Sequence, residues 1–421
     1  MTALYLIAFL SSLGFSIVIP FLVFLVTSHG GNGFVLGALG AAFWSAQLVG
    51  APWLGALSDR IGRKRVLLFS QLGAMASWTL FLVALAAPNL ELARFDTRPT
   101  GAFAITLPLA LILVARVSDG LFNGSVSVAN AYLADLTPDD QRKVAYARLG
   151  AATNLGFVVG PLVSGVLARG AHGITIVVLL AFALSAVAAA LVRLRLPAVP
   201  AKPATPSRVA RAGRNRVHKL LGGGCREQLR TPRRGARAVL AIRELRPMLA
   251  IYFLVYLGFS ILTAALPIYA ATDLGWSTGR LGLLYAVIAL ALVATEALIL
   301  PPLARRTSGT LLATGGCALL VACYVLMTRR SDAALFAGGL LYGLGNGLMW
   351  PSYLALLART GPPALQGTVQ GVGSGVGSLA SIGGTISGGV LFELVGPSTF
   401  YVPAVALAAA TAVFAVKRSG T

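Results

Sequence analysis

Apolar runs of about 20 residues or more recur from end to end of the 421-residue chain, separated by short polar turns. A helix of that length crosses a hydrocarbon core of about 30 Å. The pattern predicts twelve spans: 3–27, 34–57, 65–87, 106–134, 143–168, 173–196, 247–271, 278–303, 309–328, 333–358, 366–393 and 398–416. Short alternating strands of the kind that build membrane barrels are not visible. The expected fold class is therefore an all-α membrane protein. The first run has no basic leader and stays apolar throughout, so it reads as a retained span and not as a cleaved signal.

Composition agrees with this. Charged residues make up 11% of the chain, against about 25% in a soluble domain. The net charge of +21 suggests nucleic acid until the charges are placed. With the N-terminus inside, the outer loops hold Arg94, Arg98, Arg169, Arg280, Arg329 and Arg330. Arg116 and Arg148 lie within spans, and the other Lys and Arg residues fall on the inner side. That asymmetry favours cytoplasmic N- and C-termini. Arg far outnumbers Lys, and Ala and Gly are abundant, which suggests a GC-rich genome and hence a bacterium.

The chain repeats itself in order. "LGFSI" at 13–17 recurs at 257–261, Asn123-Gly124 matches Asn346-Gly347, and "GPLVSG" at 160–165 matches "GGTISG" at 383–388. The offset falls between the first pair and the later ones because the loop after span 3 (88–105) is long and its counterpart (329–332) is short. Two six-span halves in the same orientation explain twelve spans: 1–196 and 247–421, joined by a basic cytoplasmic linker, 197–246. The linker opens Pro-rich and then carries thirteen Lys and Arg against Glu227 and Glu244. It reads as a tether that meets anionic lipid. No aromatic is interleaved to stack on bases, so nucleic acid is not expected as a partner.

Between spans 2 and 3 stands "GALSDRIGRKR", 55–65, an acid at the head of a basic, Gly-punctuated turn. Topology alone calls for the basic residues but explains neither Asp59 nor the two glycines. The stretch resembles the signature loop of the major facilitator superfamily, with Gly55, Leu57, Asp59, Arg60, Gly62, Arg63 and Lys64 at its fixed positions. The resemblance implies two pseudo-symmetric six-helix halves that give access to each side in turn. It also implies a latch in which Asp59 lies against the start of span 11 and Arg63 pairs with Asp135. In the second half "PPLARRTSG", 301–309, puts Arg305 where the acid would stand, so a symmetric second latch is not expected.

Span 4 carries "LVARVSDGLFNG", 113–124, similar to the family's second motif, an Arg followed by a Gly four positions on. Arg116, Asp119 and Asn123 share one helical face. Charges at membrane depth face a cavity or a partner. Asp119 is thus a proton-coupling candidate with Arg116 beside it; a static pair that only orients the helix is the alternative. Glu296 in span 8 is the other intramembrane acid, either a second protonation site or the partner of a nearby arginine. Glu393 is expected at the outer end of span 11 as an interfacial residue.

Span 5 contains "GFVVGPLVSG", 156–165, which resembles the motif of the family's drug/proton antiporters, with Ser164 in place of a Gly. Gly156, Gly160, Pro161 and Gly165 are then read as a hinge and seal where the halves meet. Gln47, Asn123, Asn154, Tyr256, Asn346 and Trp350, with Glu296, are the substrate-cavity candidates, as polar or aromatic groups in spans.

No Walker loop accompanies the Gly-rich segments. Three scattered cysteines and three loop histidines offer no metal site, and no nucleophile–base set speaks for an enzyme. The function implied is proton-driven export of small amphipathic molecules by a monomer with no bound cofactor. A proton symporter for a sugar, peptide or organic anion is the runner-up. A non-transporting receptor or scaffold that works through the basic linker stands behind it.

Overall fold

The computed structural model describes residues 1–98, 100–123, 125–138, 142–167, 172–197, 239–360 and 366–418. Most of the linker, 198–238, lies outside them together with Cys225. The first half holds span 1 (Thr2–Ser16 and Ile19–Ser28), span 2 (Gly33–Ile61), span 3 (Arg63–Ala86), span 4 (Leu107–Asn123 and Ser125–Leu136), span 5 (Arg142–Leu167) and span 6 (Gly173–Arg195). In the second half span 7 runs from Leu245 to Asp273 and span 8 from Thr278 to Arg306. Spans 9 to 12 are Gly309–Met327, Asp332–Thr360, Gln366–Val395 and Tyr401–Arg418. By length and hydropathy, ten described segments are able to cross a membrane; one of them, Gly371–Thr411, runs through both spans 11 and 12. Asp332–Thr360, a helix of 29 residues, completes the twelve.

The helices start and stop for local reasons. Asn32 precedes span 2 and its side chain accepts from the Val35 amide at 3.2 Å, which satisfies one of the donors a helix start leaves open. Span 2 ends at Gly62, whose φ of 97° is reached cheaply only without a Cβ. Span 3 begins at the next residue. The signature stretch is therefore helical up to Ile61, and its turn is the single residue Gly62. Span 8 is interrupted by a π-helical turn, Thr295–Ile299, that carries Glu296. Such insertions often accompany functional positions.

The two halves pack alike. In the first, span 1 packs on spans 5 and 6, span 4 on spans 2 and 3, and span 3 on span 6. The second repeats this: span 7 on spans 11 and 12, span 10 on spans 8 and 9, and span 9 on span 12. The halves meet along two symmetry-related seams, span 2 with span 11 and span 5 with span 8. Large apolar side chains such as Val49, Leu194, Leu298 and Val405 point outward, an arrangement that suits a lipid surround.

The loop expected at 88–105 is instead an antiparallel hairpin, Glu91–Thr97 with Gly101–Thr106. It docks on the turn between spans 1 and 2. The Ala104 amide donates to the Gly30 carbonyl at 2.9 Å, and Phe103 lies 5.5 Å from Phe34. A strand reading was missed there because the segment is short and half of it is charged or polar. The hairpin marks one end of the molecule; the chain termini lie at the other.

Candidate functional site

At the termini end Arg63 sits between two acids. Its guanidinium is 2.6 Å from Asp59 and its Nε 3.3 Å from Asp135 of span 4; it also donates to the Ser58 hydroxyl. The Asp59 side chain is 64% exposed, turned to solvent and to Arg63. The residues that lead into span 11, 361–365, lie outside the described residues. Gly55 and Lys64 are partly buried, Arg60 is exposed and Gly62 is buried. Arg305, in the equivalent place of the second half, is exposed on the last turn of span 8.

Arg116 and Asp119 lie at the middle of span 4, buried and 3.0 Å apart. The guanidinium lies over the Phe43 ring at 4.4 Å and the Phe15 ring at 5.8 Å. Its Nε is buried with no hydrogen-bond partner among the described residues. The sequence paired the two residues by spacing; it gave no sign of the aromatic roof, which comes from spans 1 and 2.

On the far side of that roof is a cavity of about 130 Å³. Phe15, Phe43, Trp44 and Phe157 form its apolar wall, and Gln47, Asn123, Gln71, Ser11 and Thr153 supply polar groups. Gln71 donates to the Ser11 hydroxyl at 3.0 Å. Of the cavity candidates, Gln47 and Asn123 line this space. Ser11, Gln71 and Thr153 were missed: single polar residues in apolar runs, they carry no motif, and only helix rotation brings them together.

The other cavity candidates separate. Tyr256 stacks on Tyr252 at 4.9 Å, with Trp350 edge-on at 5.4 Å from Tyr256; they form an aromatic cluster of spans 7 and 10. Asn346 is half-buried one turn before Trp350 on span 10. Asn154 of span 5 neighbours Glu296 of span 8, in the other half.

The span 5 motif also divides, which corrects the single role read from it. A Cβ on Gly156 would lie 2.7 Å from the Ser12 Cβ, and one on Gly160 would lie 2.9 Å from the Ile17 nitrogen. Both glycines therefore face span 1 inside their own half. Gly165 faces the other half: its Cβ would lie 2.7 Å from the Gly282 Cα. The Pro161 carbonyl approaches the same glycine. Of the four, Pro161 and Gly165 lie at the contact with the other half.

Among the described residues no group of three or more His, Cys, Asp or Glu side chains gathers to hold a metal ion. Cys317 and Cys323 are buried free thiols.

Comparison with known proteins agrees with this architecture. The tetracycline resistance protein, class C, of Escherichia coli is 26% identical over 366 residues, 83% of this chain and 78% of that protein. The class G tetracycline resistance protein of Vibrio anguillarum is 25% identical over 358 residues, 85% and 80% of the two chains. The quinolone resistance protein NorA of Staphylococcus aureus is 28% identical over 170 residues, 40% of this chain and 38% of its own. Among solved structures, a D-xylose-proton symporter matches with a TM-score of 0.72 at 16% identity, over 98% of this chain and 97% of that one. The human organic anion transporter MFSD10 matches with a TM-score of 0.66 at 22% identity, over 98% of each. The family model of the Major Facilitator Superfamily matches residues 4–385 and 248–420. Matched over nearly its whole length, this multi-pass membrane chain belongs to the Major Facilitator Superfamily of small-molecule transporters.

Proposed function

We propose that the protein exports small amphipathic molecules in exchange for protons by alternating access, as a monomer in a bacterial inner membrane with both termini cytoplasmic. The observation that carries the exchange reading is the buried Arg116–Asp119 pair, whose guanidinium lies against the Phe15 and Phe43 rings that line the cavity. A buried carboxylate held by one guanidinium sits between two demands: burial favours the neutral acid and the ion pair favours the anion. Occupation of a cavity that shares a wall with the pair is able to tip that balance.

Export is supported by relatives named for tetracycline and quinolone resistance. The Gly-Pro element of span 5, whose Gly165 reaches the other half, supports it too. An aromatic wall with amide and hydroxyl groups suits a flat, partly apolar molecule. The Asp59–Arg63–Asp135 cluster is the candidate latch of the termini end, engaged with span 11 when that end closes. The basic linker is expected to meet anionic lipid.

Proteoliposomes with an imposed pH gradient test this. Wild type is expected to move dye or antibiotic substrates uphill against the proton flow, and Asp119→Asn to lose uphill movement while still passing substrate downhill. Uphill uptake along with protons reverses the direction and gives a symporter. Uphill export retained in both Asp119→Asn and Glu296→Gln removes both acids as coupling sites.

A further inference from the structure

Span 2 and span 11 each carry an acid at the third residue from the C-terminal end: Asp59 before Ile61, and Glu393 before Val395. The two helices form one of the seams between the halves. At the hairpin end Glu393 is bonded across that seam. Its Oε1 accepts from the Gly33 amide, the first residue of span 2, at 2.7 Å. This joins a carboxylate to an open donor at a helix N-terminus, where the helix dipole also favours negative charge.

The contact is built around that bond. Gly33 has no room for a side chain: a Cβ would lie 2.9 Å from the Glu393 carboxylate, 2.9 Å from Ile268 and 3.1 Å from the Gly389 carbonyl. Lower on the seam, a Cβ on Gly40 would meet Thr385 at 3.1 Å. The hairpin closes over the top. Gly101 at its turn, with φ of 68°, lies beside the second Glu393 oxygen. Asn32 donates to the Thr100 carbonyl at 2.6 Å while it caps span 2. Thus the hairpin, the start of span 2 and the end of span 11 converge on one carboxylate.

We propose that Glu393 is the latch of the hairpin end: its bond to the Gly33 amide holds the halves together there and is released when that end opens. Glu393 of the second half acts on the start of a first-half helix. Asp59, by the family resemblance, acts on the start of a second-half helix at the opposite end. In the observed state Glu393 is engaged and Asp59 is turned to solvent. The two acids are alternately engaged, one per end, so that releasing one end accompanies gripping the other. The repeat in sequence does not foretell this, because the symmetric mate of Asp59 is Arg305. The counterpart arises from antiparallel neighbours on the seam, not from the duplication.

This inference rests on the alternating-access part of the proposed function and not on substrate or direction, so it is tested without either. Spectroscopic labels on unnatural amino acids at Arg98 and Ser331, both exposed at the hairpin end in opposite halves, report the opening of that end in full-length protein in lipid nanodiscs. Glu393→Ala is expected to raise the ratio of long to short distances about tenfold, the effect of losing one charge-assisted bond. Glu393→Asp, one methylene shorter, shifts it in the same sense and serves if the alanine variant does not fold. Asp59→Ala, which leaves the hairpin end untouched, does not lengthen the distance. A Glu393→Ala distribution that superimposes on wild type overturns the latch, and so does an Asp59→Ala shift of the same sign. A single distance in every variant, including one with Gly282→Leu at the other seam, would instead sink alternating access itself.

Discussion

Gly165 of span 5 and Gly282 of span 8 touch backbone to backbone across the two halves, so close that a methyl group on either has no place. With Gly33 and Gly389 on the other seam, they bring the helices of the two halves together at the hairpin end. Small residues at such contacts let backbones approach and also let them part without disengaging side chains.

Enlarging that contact should cost the closed state selectively. Overpacking costs about 1–3 kcal/mol, borne here only when the hairpin end is shut. Gly165→Ala is expected to slow turnover about tenfold, and Gly282→Leu to abolish it, with thermal stability in detergent little changed. Wild-type turnover in Gly282→Leu would show that the seam never needs to close.

The Arg116–Asp119 pair lends itself to a double-mutant cycle. Removing one partner of a buried ion pair leaves an uncompensated charge, at a cost of about 3–5 kcal/mol. Asp119→Asn and Arg116→Gln should each lower the unfolding temperature, and the double variant should recover at least half of the loss. The double variant also separates the two readings of Asp119. If it folds and still drives uphill export, the pair is static support; if it folds and passes substrate only downhill, Asp119 carries the proton.

Trp44 lines the cavity, and its ring packs edge-on against Phe43 at 5.3 Å. Aromatic pairs contribute about 0.5–1.5 kcal/mol beyond their buried area, so Trp44→Ala should raise KM severalfold to tenfold while Vmax stays within about twofold. An unchanged KM across a panel of aromatic substrates would move the binding site elsewhere, with the Tyr252–Tyr256–Trp350 cluster of the second half as the next candidate.

Asn32 does two things with one side chain: it caps span 2 and holds the hairpin turn. Asn32→Ala should lower stability by about 1 kcal/mol, the usual worth of a cap. It should also speed trypsin cleavage after Arg94. That cut should appear in right-side-out spheroplasts and not in inside-out vesicles, which checks the orientation in the same experiment.

Much was legible in the chain before any coordinates. Span number and the 55–64 signature follow from hydropathy, charge placement and spacing read within a stretch of some twenty residues, and the duplicated halves from the recurrence of such stretches in order. Partition into lipid acts on each such stretch separately, so the order of residues alone determines it. Arg116 and Asp119 belong to the same category, since one helical turn brings them together.

Other features rest on contacts between residues far apart in the chain. Glu393 reads as an ordinary interfacial acid until Gly33, on another helix of the other half, is seen to donate to it. Gly156 and Gly165 look alike in sequence, yet one packs on span 1 and the other on span 8. Ser11, Gln71 and Thr153 become one cavity wall only through the rotation of three helices. What the sequence determined by itself is which segments enter the bilayer and that they form two like halves. What the tertiary structure decided is which small and polar side chains meet across the seams, because close approach, unlike hydropathy, is a property of two helices at once.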